Sequence, residues 1–256
     1  MFPLPIVLCF GRSGGTLVNQ LLGTHPACLV LSEVNPAASF KPIAEQAVEW
    51  LQLITTEEAS GFALSPYIDQ IRTLERLAAK QDKRLLVRDW TSVNFVRCSP
   101  YAYPSRRLEQ IVYLTGRLPI APLAVVRRGA DVYASWEANF PQFDIGAEAF
   151  ADAYLDYAAA VRDYPIVRLE ELRKHPAREL LRIFAAFELA EAPLEHVLGH
   201  FHEFDRCTGN NTLAVARGVQ PRGILPPPDR SRDATVAVGA DVAARFAQAD
   251  RWLGYD

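Results

Sequence analysis

A glycine-rich segment near the start of the chain contains residue types that bind anions. The segment FGRSGGT occupies positions 10–16, between the apolar run LPIVLCF and the amphipathic segment LVNQLL. Its glycines allow a tight turn that points successive backbone N–H groups at one spot, and the start of a helix adds partial positive charge there. The residues predicted to form this anion-binding loop are Gly11, Arg12, Ser13, Gly14, Gly15 and Thr16.

The loop does not match the Walker A sequence of ATP-binding proteins. GxxxxGK[ST] requires a lysine before the hydroxyl residue, and here Gly15 precedes Thr16. ATP hydrolysis is therefore not expected. The alternative interpretation is a glycine-rich strand-to-helix turn that binds no ligand.

A second candidate anion site follows the apolar run PLAVV at 122–126. The segment RRGADVYAS occupies 127–135 and begins with Arg127 and ends with Ser135. A guanidinium presents a planar fork of donors that suits phosphate, and a hydroxyl adds a further hydrogen bond. Asp131 is expected to be structural, capping the first turn of a helix or holding an arginine. The alternative is a helix start with solvated arginines.

The two segments together resemble the donor-binding segments of sulfotransferases that use 3′-phosphoadenosine 5′-phosphosulfate (PAPS), above all those of the protein-tyrosine, carbohydrate and bacterial types. In the first segment, Arg12, Ser13, Gly14 and Thr16 match the family's 5′-phosphosulfate loop. Gly15 departs from it, because the family usually has Thr or Ser there. The resemblance implies that Arg12 and the loop amides bind the phosphosulfate and stabilise charge on it during transfer.

In the second segment, RRGADVYAS resembles the family's R-N-P-x-D-x-x-x-S. The resemblance implies that Arg127 and Ser135 bind the 3′-phosphate and so distinguish the donor from ATP. Arg128-Gly129 departs from the family's Asn-Pro, although glycine still permits the turn into a helix.

The stretch LLGTHPACLVLSE at 21–33 resembles the segment after the loop in protein-tyrosine and related sulfotransferases. Glu33 falls where those enzymes have a catalytic glutamate, so the resemblance implies that Glu33 is the general base. The alternative is a surface or helix-capping glutamate. His25 is expected to be structural, because it lies in the turn after the first helix.

Other candidate residues leave alternatives open. Arg88-Asp89-Trp90 follows an apolar run, where a catalytic role and a buried structural role are equally compatible with the sequence. Trp90 and the aromatic tract SPYAYP at 99–104 suit either an acceptor pocket or packing. In the segment at 208–223, Arg217-Gly218 resembles the family's R-K-G, which implies that Arg217 binds the donor, with Arg222 as a competing candidate.

The elements that must position these residues follow from the alternation of apolar runs with helical periodicity. The five runs lie at 4–10, 28–31, 84–87, 122–126 and 165–169. The helices are predicted at 15–23, 42–54, 66–80, 129–139, 146–161, 170–187 (with Pro176 kinking or dividing it) and 239–252. We therefore predict an α/β fold in which a central parallel sheet of about five strands lies between two layers of helices, similar to P-loop NTPases. One domain is expected over 1–256.

Composition limits the class of protein further. The chain has 256 residues, is 50% apolar and has a formal net charge of −3, so an anionic ligand must be held by a local cluster of arginines. The four cysteines form no CxxC pair, which predicts neither disulfides nor a zinc site and favours the cytoplasm. No membrane segment, nucleic-acid partner or metal is expected.

The resemblance implies direct in-line transfer of a sulfuryl group from PAPS, without a metal. The acceptor would be a hydroxyl or amine on a small molecule, carbohydrate or peptide that the sequence does not identify. Two alternatives stay open, a P-loop-type nucleotide kinase and a non-catalytic nucleotide-binding protein of the same fold.

Overall fold

The computed structural model describes residues 2–98, 104–190, 192, 194–209, 224 and 238–255. Within them lies one sheet of five parallel strands in the order β2-β3-β1-β4-β5. The strands are β1 Leu4–Cys9, β2 Cys28–Val34, β3 Arg84–Asp89, β4 Ile120–Val126 and β5 Ile166–Arg168. Each of the five apolar runs forms a strand, which confirms the predicted α/β fold.

Eleven α-helical segments occur in the described residues: α1 Gly15–Thr24, α2 Ile43–Glu45, α3 Thr56–Ala63, α4 Tyr67–Ala79, α5 Glu109–Leu114, α6 Gly129–Asn139, α7 Ala147–Val161, α8 Leu169–Lys174, α9 Pro176–Ala186, α10 Leu194–His200 and α11 Ala240–Trp252. Single turns of 3₁₀-helix lie at Thr91–Asn94, Pro141–Phe143 and Phe201–Glu203. None of the described helices is long and apolar enough to cross a membrane.

The predicted helices differ from the observed ones at α2, and the helices α3, α5 and α10 were not predicted. The helix expected at 42–54 is the short α2 followed by a π-helical turn, Gln46–Trp50. Helix α3 was not predicted, although its start has a sequence signal. The Thr55 hydroxyl accepts from the Glu58 backbone N–H, and the Glu58 carboxylate accepts from the Thr55 backbone N–H. This capping box stabilises the start of α3.

The apolar side chains of β1 alternate between the two faces of the sheet. Leu4, Ile6 and Leu8 belong to the buried cluster on one face, whereas Val7 and Cys9 belong to the cluster on the other. Because both faces are buried under helices, the fold has the three layers that the sequence predicts.

The carboxyl ends of all five strands lie at the same edge of the sheet because the strands are parallel. Strand β1 ends at Cys9, β2 at Val34, β3 at Asp89 and β4 at Val126. The glycine-rich loop, Glu33, Arg88 and Arg127 are therefore brought to one edge, where open α/β folds bind their ligands.

Candidate active site

The loop after β1 turns tightly into α1. The Ser13 backbone N–H donates to the Phe10 carbonyl at 3.1 Å, and Gly14 has a φ of 98°. A Cβ atom on Gly14 would lie 2.6 Å from the Leu169 side chain, so both the turn and the packing require glycine. Helix α1 begins at Gly15 with no side-chain hydrogen bond to its first turn. Its N-terminal N–H groups are therefore oriented toward the loop, where they could bind an anion.

Two polar groups beside this loop are buried without a hydrogen-bond partner among the described residues: the Ser13 hydroxyl and the Arg88 Nε. A Cβ atom on Gly15 would lie 2.7 Å from Cys9 Sγ and 2.9 Å from Arg88 Nε. The departure of Gly15 from the sulfotransferase pattern thus has a physical reason, because a hydroxyl side chain there would collide with the arginine. Unpartnered buried polar atoms in a loop of this shape suit a polar ligand.

The structure brings Arg12 of the loop to the second predicted segment. Arg12 Nε donates to Ser135 Oγ at 3.0 Å, although the two residues lie 123 positions apart. The Arg12 guanidinium also lies over the Phe140 ring, 5.6 Å from its centroid. Burial lowers the pKa of Arg12, and the positive charge of Arg127 lowers it further. Arg12, Ser135 and Arg127 therefore belong to one cluster.

The backbone of Arg127, Arg128 and Gly129 is held by three other elements. The Tyr154 hydroxyl of α7 donates to the Arg127 carbonyl. The Arg128 N–H donates to the Glu170 carboxylate of α8 at 3.3 Å, and the Gly129 N–H donates to Asp250 of α11 at 2.8 Å. These contacts fix the point at which α6 begins.

Asp250, rather than a residue of α6 itself, accepts the hydrogen bond at the start of that helix. Burial raises the pKa of Asp250 to about 6, and the bond from Gly129 opposes this rise. Asp131 lies in the first turn of α6, with Arg173 as an electrostatic neighbour.

Glu33 lies at an irregularity in β2, where the register with β3 shifts between Ser32 and Val34. Its φ of 51° is unusual for a residue other than glycine and turns its side chain toward the site. Glu33 Oε1 lies 2.5 Å from an Nη atom of Arg88, and only 15% of the Glu33 side chain is exposed. The negative charge of Glu33 raises the pKa of Arg12, against the lowering caused by burial. Glu33 is thus a mostly buried, paired carboxylate at the edge of the sheet.

Arg88 and Asp89, whose roles the sequence leaves open, point to different places. Arg88 is 4% exposed and donates to Ser32 Oγ at 3.3 Å and to the Thr208 carbonyl at 2.9 Å, besides its pair with Glu33. It therefore lies beside the glycine-rich loop.

Asp89 is fully buried and accepts from Asn35 Nδ2 and from the Thr91 hydroxyl, each at 2.7 Å. Thr91 in turn accepts the Cys9 N–H at 2.9 Å, so Asp89 supports the end of β1 rather than reaching the loop. Burial raises the pKa of Asp89 to about 7.

Thr208 and Gly209, the first two residues of the segment at 208–223, contact this edge of the sheet. The Thr208 N–H donates to Ser32 Oγ at 3.0 Å, and a Cβ atom on Gly209 would lie 2.3 Å from Thr16 Oγ1. These two residues therefore lie directly against the glycine-rich loop. Arg217, Arg222 and residues 99–103 of the aromatic tract lie outside the described residues.

Three further residues were not identified from the sequence: Tyr154, Asp250 and Arg173. No local pattern marks them, because each acts on a segment that is distant along the chain. Arg173 is half-buried, and its pKa is lowered by burial and then by the charge of Arg127.

His25 lies away from this cluster and is 2% exposed. Its Nε2 is 3.0 Å from the Ala190 carbonyl, and its Nδ1 accepts the Ala27 N–H. Both ring nitrogens are thus engaged with the backbone, as expected of a structural histidine. In the part of the chain that the structure describes, no three His, Cys, Asp or Glu side chains are grouped to hold a metal ion.

Comparison with known proteins gives structural neighbours only. No family model matches the chain, and no curated protein matches it. The sulfotransferase domain from the olefin synthase of Synechococcus PCC 7002 aligns with a TM-score of 0.67 and 18% identity, over 99% of this chain and 95% of that one. The sulfotransferase domain from the curacin biosynthetic pathway aligns with a TM-score of 0.65 and 14% identity, over 100% and 99%. The chain therefore has the sulfotransferase fold.

Proposed function

We propose that the chain is a sulfotransferase that moves a sulfuryl group from PAPS to a hydroxyl or amine. The observation that carries the proposal is the contact of Arg12 with Ser135, with Arg127 as a charged neighbour. It joins the two segments that resemble donor-binding segments, at the edge of the sheet where α/β proteins bind ligands. Two solved sulfotransferase domains share the fold over almost the whole chain.

The residues present fit a ligand with two anionic groups. Among the described residues, neither Arg12 nor Arg127 has a carboxylate within ion-pairing distance. Two guanidinium groups in a partly buried site repel each other, and an anion that binds between or beside them offsets this repulsion. We assign the 5′ end of the donor to the loop residues and the 3′-phosphate to Arg127 and Ser135. Arg217 is proposed as a further donor contact.

The donor supplies an activated sulfuryl group, whose bond to the bridging phosphate oxygen breaks as its bond to the acceptor forms. Arg12 and the loop N–H groups stabilise the negative charge on the leaving phosphate. Glu33 accepts the proton from the acceptor, and its ion pair with Arg88 holds the carboxylate in place. We propose direct transfer of this kind, with no metal ion.

The four cysteines all carry free thiols, which supports a reducing location such as the cytoplasm. The acceptor class remains a small molecule, carbohydrate or peptide.

The proposal is tested by calorimetry with adenosine 3′,5′-bisphosphate, ATP and AMP, followed by transfer of radiolabelled sulfate from PAPS to a library of alcohols, phenols and amines. We expect the bisphosphate to bind more tightly than ATP and AMP, and at least one acceptor to gain label. Tighter binding of ATP would favour a nucleotide kinase instead. Tight bisphosphate binding without any transfer would favour a non-catalytic protein.

A further inference from the structure

The first turn of α8 contacts both donor-binding segments. The Leu169 side chain occupies the space where Gly14 would carry a Cβ, and the Glu170 carboxylate accepts the Arg128 N–H. Residues three and four positions apart on a helix share a face. Arg173 follows Leu169 by four residues and Glu170 by three, so it emerges from the face that is turned toward these segments.

The charges around Arg173 agree with this placement. Its strongest charged neighbour is Arg127, while Glu170 and Asp131 have smaller, opposite effects. Arg127 is likewise the strongest charged neighbour of Arg12. The three guanidinium groups therefore form a chain of like charges, from Arg12 through Arg127 to Arg173.

No carboxylate among the described residues lies within ion-pairing distance of any of the three. Elsewhere in the described chain, the neighbouring Arg178 and Arg182 both pair with the buried Glu179. Adjacent, half-buried positive charges that no carboxylate contacts directly are unfavourable in the free protein, and the more distant Glu33, Glu170 and Asp131 offset this only in part. A bound anion removes that cost, and a phosphate monoester has three oxygens with which to accept from two guanidinium groups.

We propose that Arg173 is an additional ligand of the phosphate that Arg127 and Ser135 bind, and that it increases the preference for nucleotides with a 3′-phosphate. The inference rests on the proposed function, since it assigns one more residue to the same donor site. The placement of Arg173 on the face shared with Leu169 and Glu170 carries it.

The test is calorimetry on Arg173→Ala with two nucleotides, adenosine 3′,5′-bisphosphate and adenosine 5′-phosphosulfate, which lacks the 3′-phosphate. Loss of a charge-assisted phosphate contact should lower the affinity for the bisphosphate by about 10- to 100-fold. The affinity for the phosphosulfate should fall by less than about 3-fold. Lys174→Ala is the matched control, because Lys174 is the exposed next residue of the same helix and should leave both affinities unchanged.

Arg173→Gln keeps most of the side chain's length and should show the same selective loss, so it serves if the alanine variant does not fold. Unchanged bisphosphate affinity, or an equal loss for both nucleotides, would overturn the assignment of Arg173. If Arg127→Ala lost bisphosphate binding while Arg173→Ala did not, the proposed function would stand without this inference. If the wild-type protein bound neither nucleotide, the proposed function itself would be wrong.

Discussion

The pairing of Glu33 with Arg88 decides how the proposed general base can act. Arg88 keeps the carboxylate at the edge of the sheet, and its contacts with Ser32 and Thr208 hold the guanidinium in place when Glu33 changes. A base held in this way is oriented before the acceptor arrives. Its removal should therefore affect proton transfer more than donor binding.

We expect Glu33→Gln to lower turnover by roughly 10²- to 10⁴-fold, because the amide cannot accept a proton. Affinity for adenosine 3′,5′-bisphosphate should change by less than about 3-fold, since the Arg12 and Arg127 charges remain. Sulfate transfer and calorimetry on the same preparation measure the two quantities. Glu45→Gln, an exposed glutamate of α2, is the control. Full activity in Glu33→Gln would contradict the assignment of the base.

Asp89 predicts a pH dependence of stability. Burial raises its pKa from 3.8 to about 7, so the folded protein holds this proton more tightly than the unfolded chain does. The stability gained by holding this proton in the folded state is fully present below the pKa of the unfolded chain, and it is lost as the pH rises through about 7.

In the wild type, Asp89 should lower the free energy of unfolding by up to about 1.4 kcal/mol per pH unit between pH 5 and 7. We expect Asp89→Asn to lack this decrease. The asparagine can still accept from Asn35 and can donate to Thr91, so the variant should fold. Urea denaturation of both proteins at several pH values measures this. Parallel pH profiles would show that Asp89 does not carry the effect.

At the scale of elements, the start of α6 depends on α11. Asp250 accepts the Gly129 N–H, and Tyr255, after the end of α11, donates to Glu170, which itself accepts the Arg128 N–H. The Arg128 guanidinium lies 4.8 Å from the Tyr255 ring centroid. The C-terminal helix thereby positions the segment that contains Arg127.

Asp250→Ala should lower the free energy of unfolding by about 0.5–2 kcal/mol, the usual cost of losing a helix N-terminal acceptor. It should also lower the affinity for adenosine 3′,5′-bisphosphate, because the turn that positions Arg127 loses one of the three contacts that hold it. Asp250→Asn keeps the accepting oxygen and should retain most of both properties. Urea denaturation and calorimetry measure the two effects. An alanine variant that matched the wild type in both would exclude a positioning role for α11.

The elements differed in how well their sequences predicted them. The five strands and α6, α7 and α11 could be predicted because each has a continuous apolar run or a clear helical period. Helices α5 and α10 could not, because they have only 6 and 7 residues, too few for a period to be read. Helix α2 ends in a π-helical turn, which no local pattern predicts.

At the scale of the whole molecule, the candidate donor site joins parts of the chain that are distant in sequence. The loop after β1, the start of α6, the first turn of α8 and the end of α11 all meet there. A ligand that binds these parts in the folded state, and not in the unfolded chain, stabilises the whole fold.

We expect adenosine 3′,5′-bisphosphate at a hundredfold its Kd to add about 2.7 kcal/mol to the free energy of unfolding. For a chain of this size, this corresponds to a rise in Tm of roughly 5–10 °C. AMP at the same concentration should raise Tm much less, because it lacks the phosphate assigned to Arg127 and Ser135. Thermal unfolding followed by circular dichroism measures both shifts, and equal shifts would defeat the selectivity argument.

The sequence by itself determined the strands, their parallel arrangement and the glycine-rich turn. These follow from local patterns, since apolar runs that alternate with helical periods form a buried parallel sheet and glycine readily adopts the φ of 98° that the turn needs. The motifs also predicted which side chains lie at the edge of the sheet. They could not indicate which of those side chains meet.

Only the tertiary structure decided the contacts within the candidate site. It placed Arg12 against Ser135, paired Glu33 with Arg88, and directed Asp89 toward Thr91 instead of the loop. The physical reason is that each contact depends on how distant segments pack and on which way a side chain points. Neighbours along the chain do not specify these directions, as Arg88 and Asp89 show by pointing to different partners.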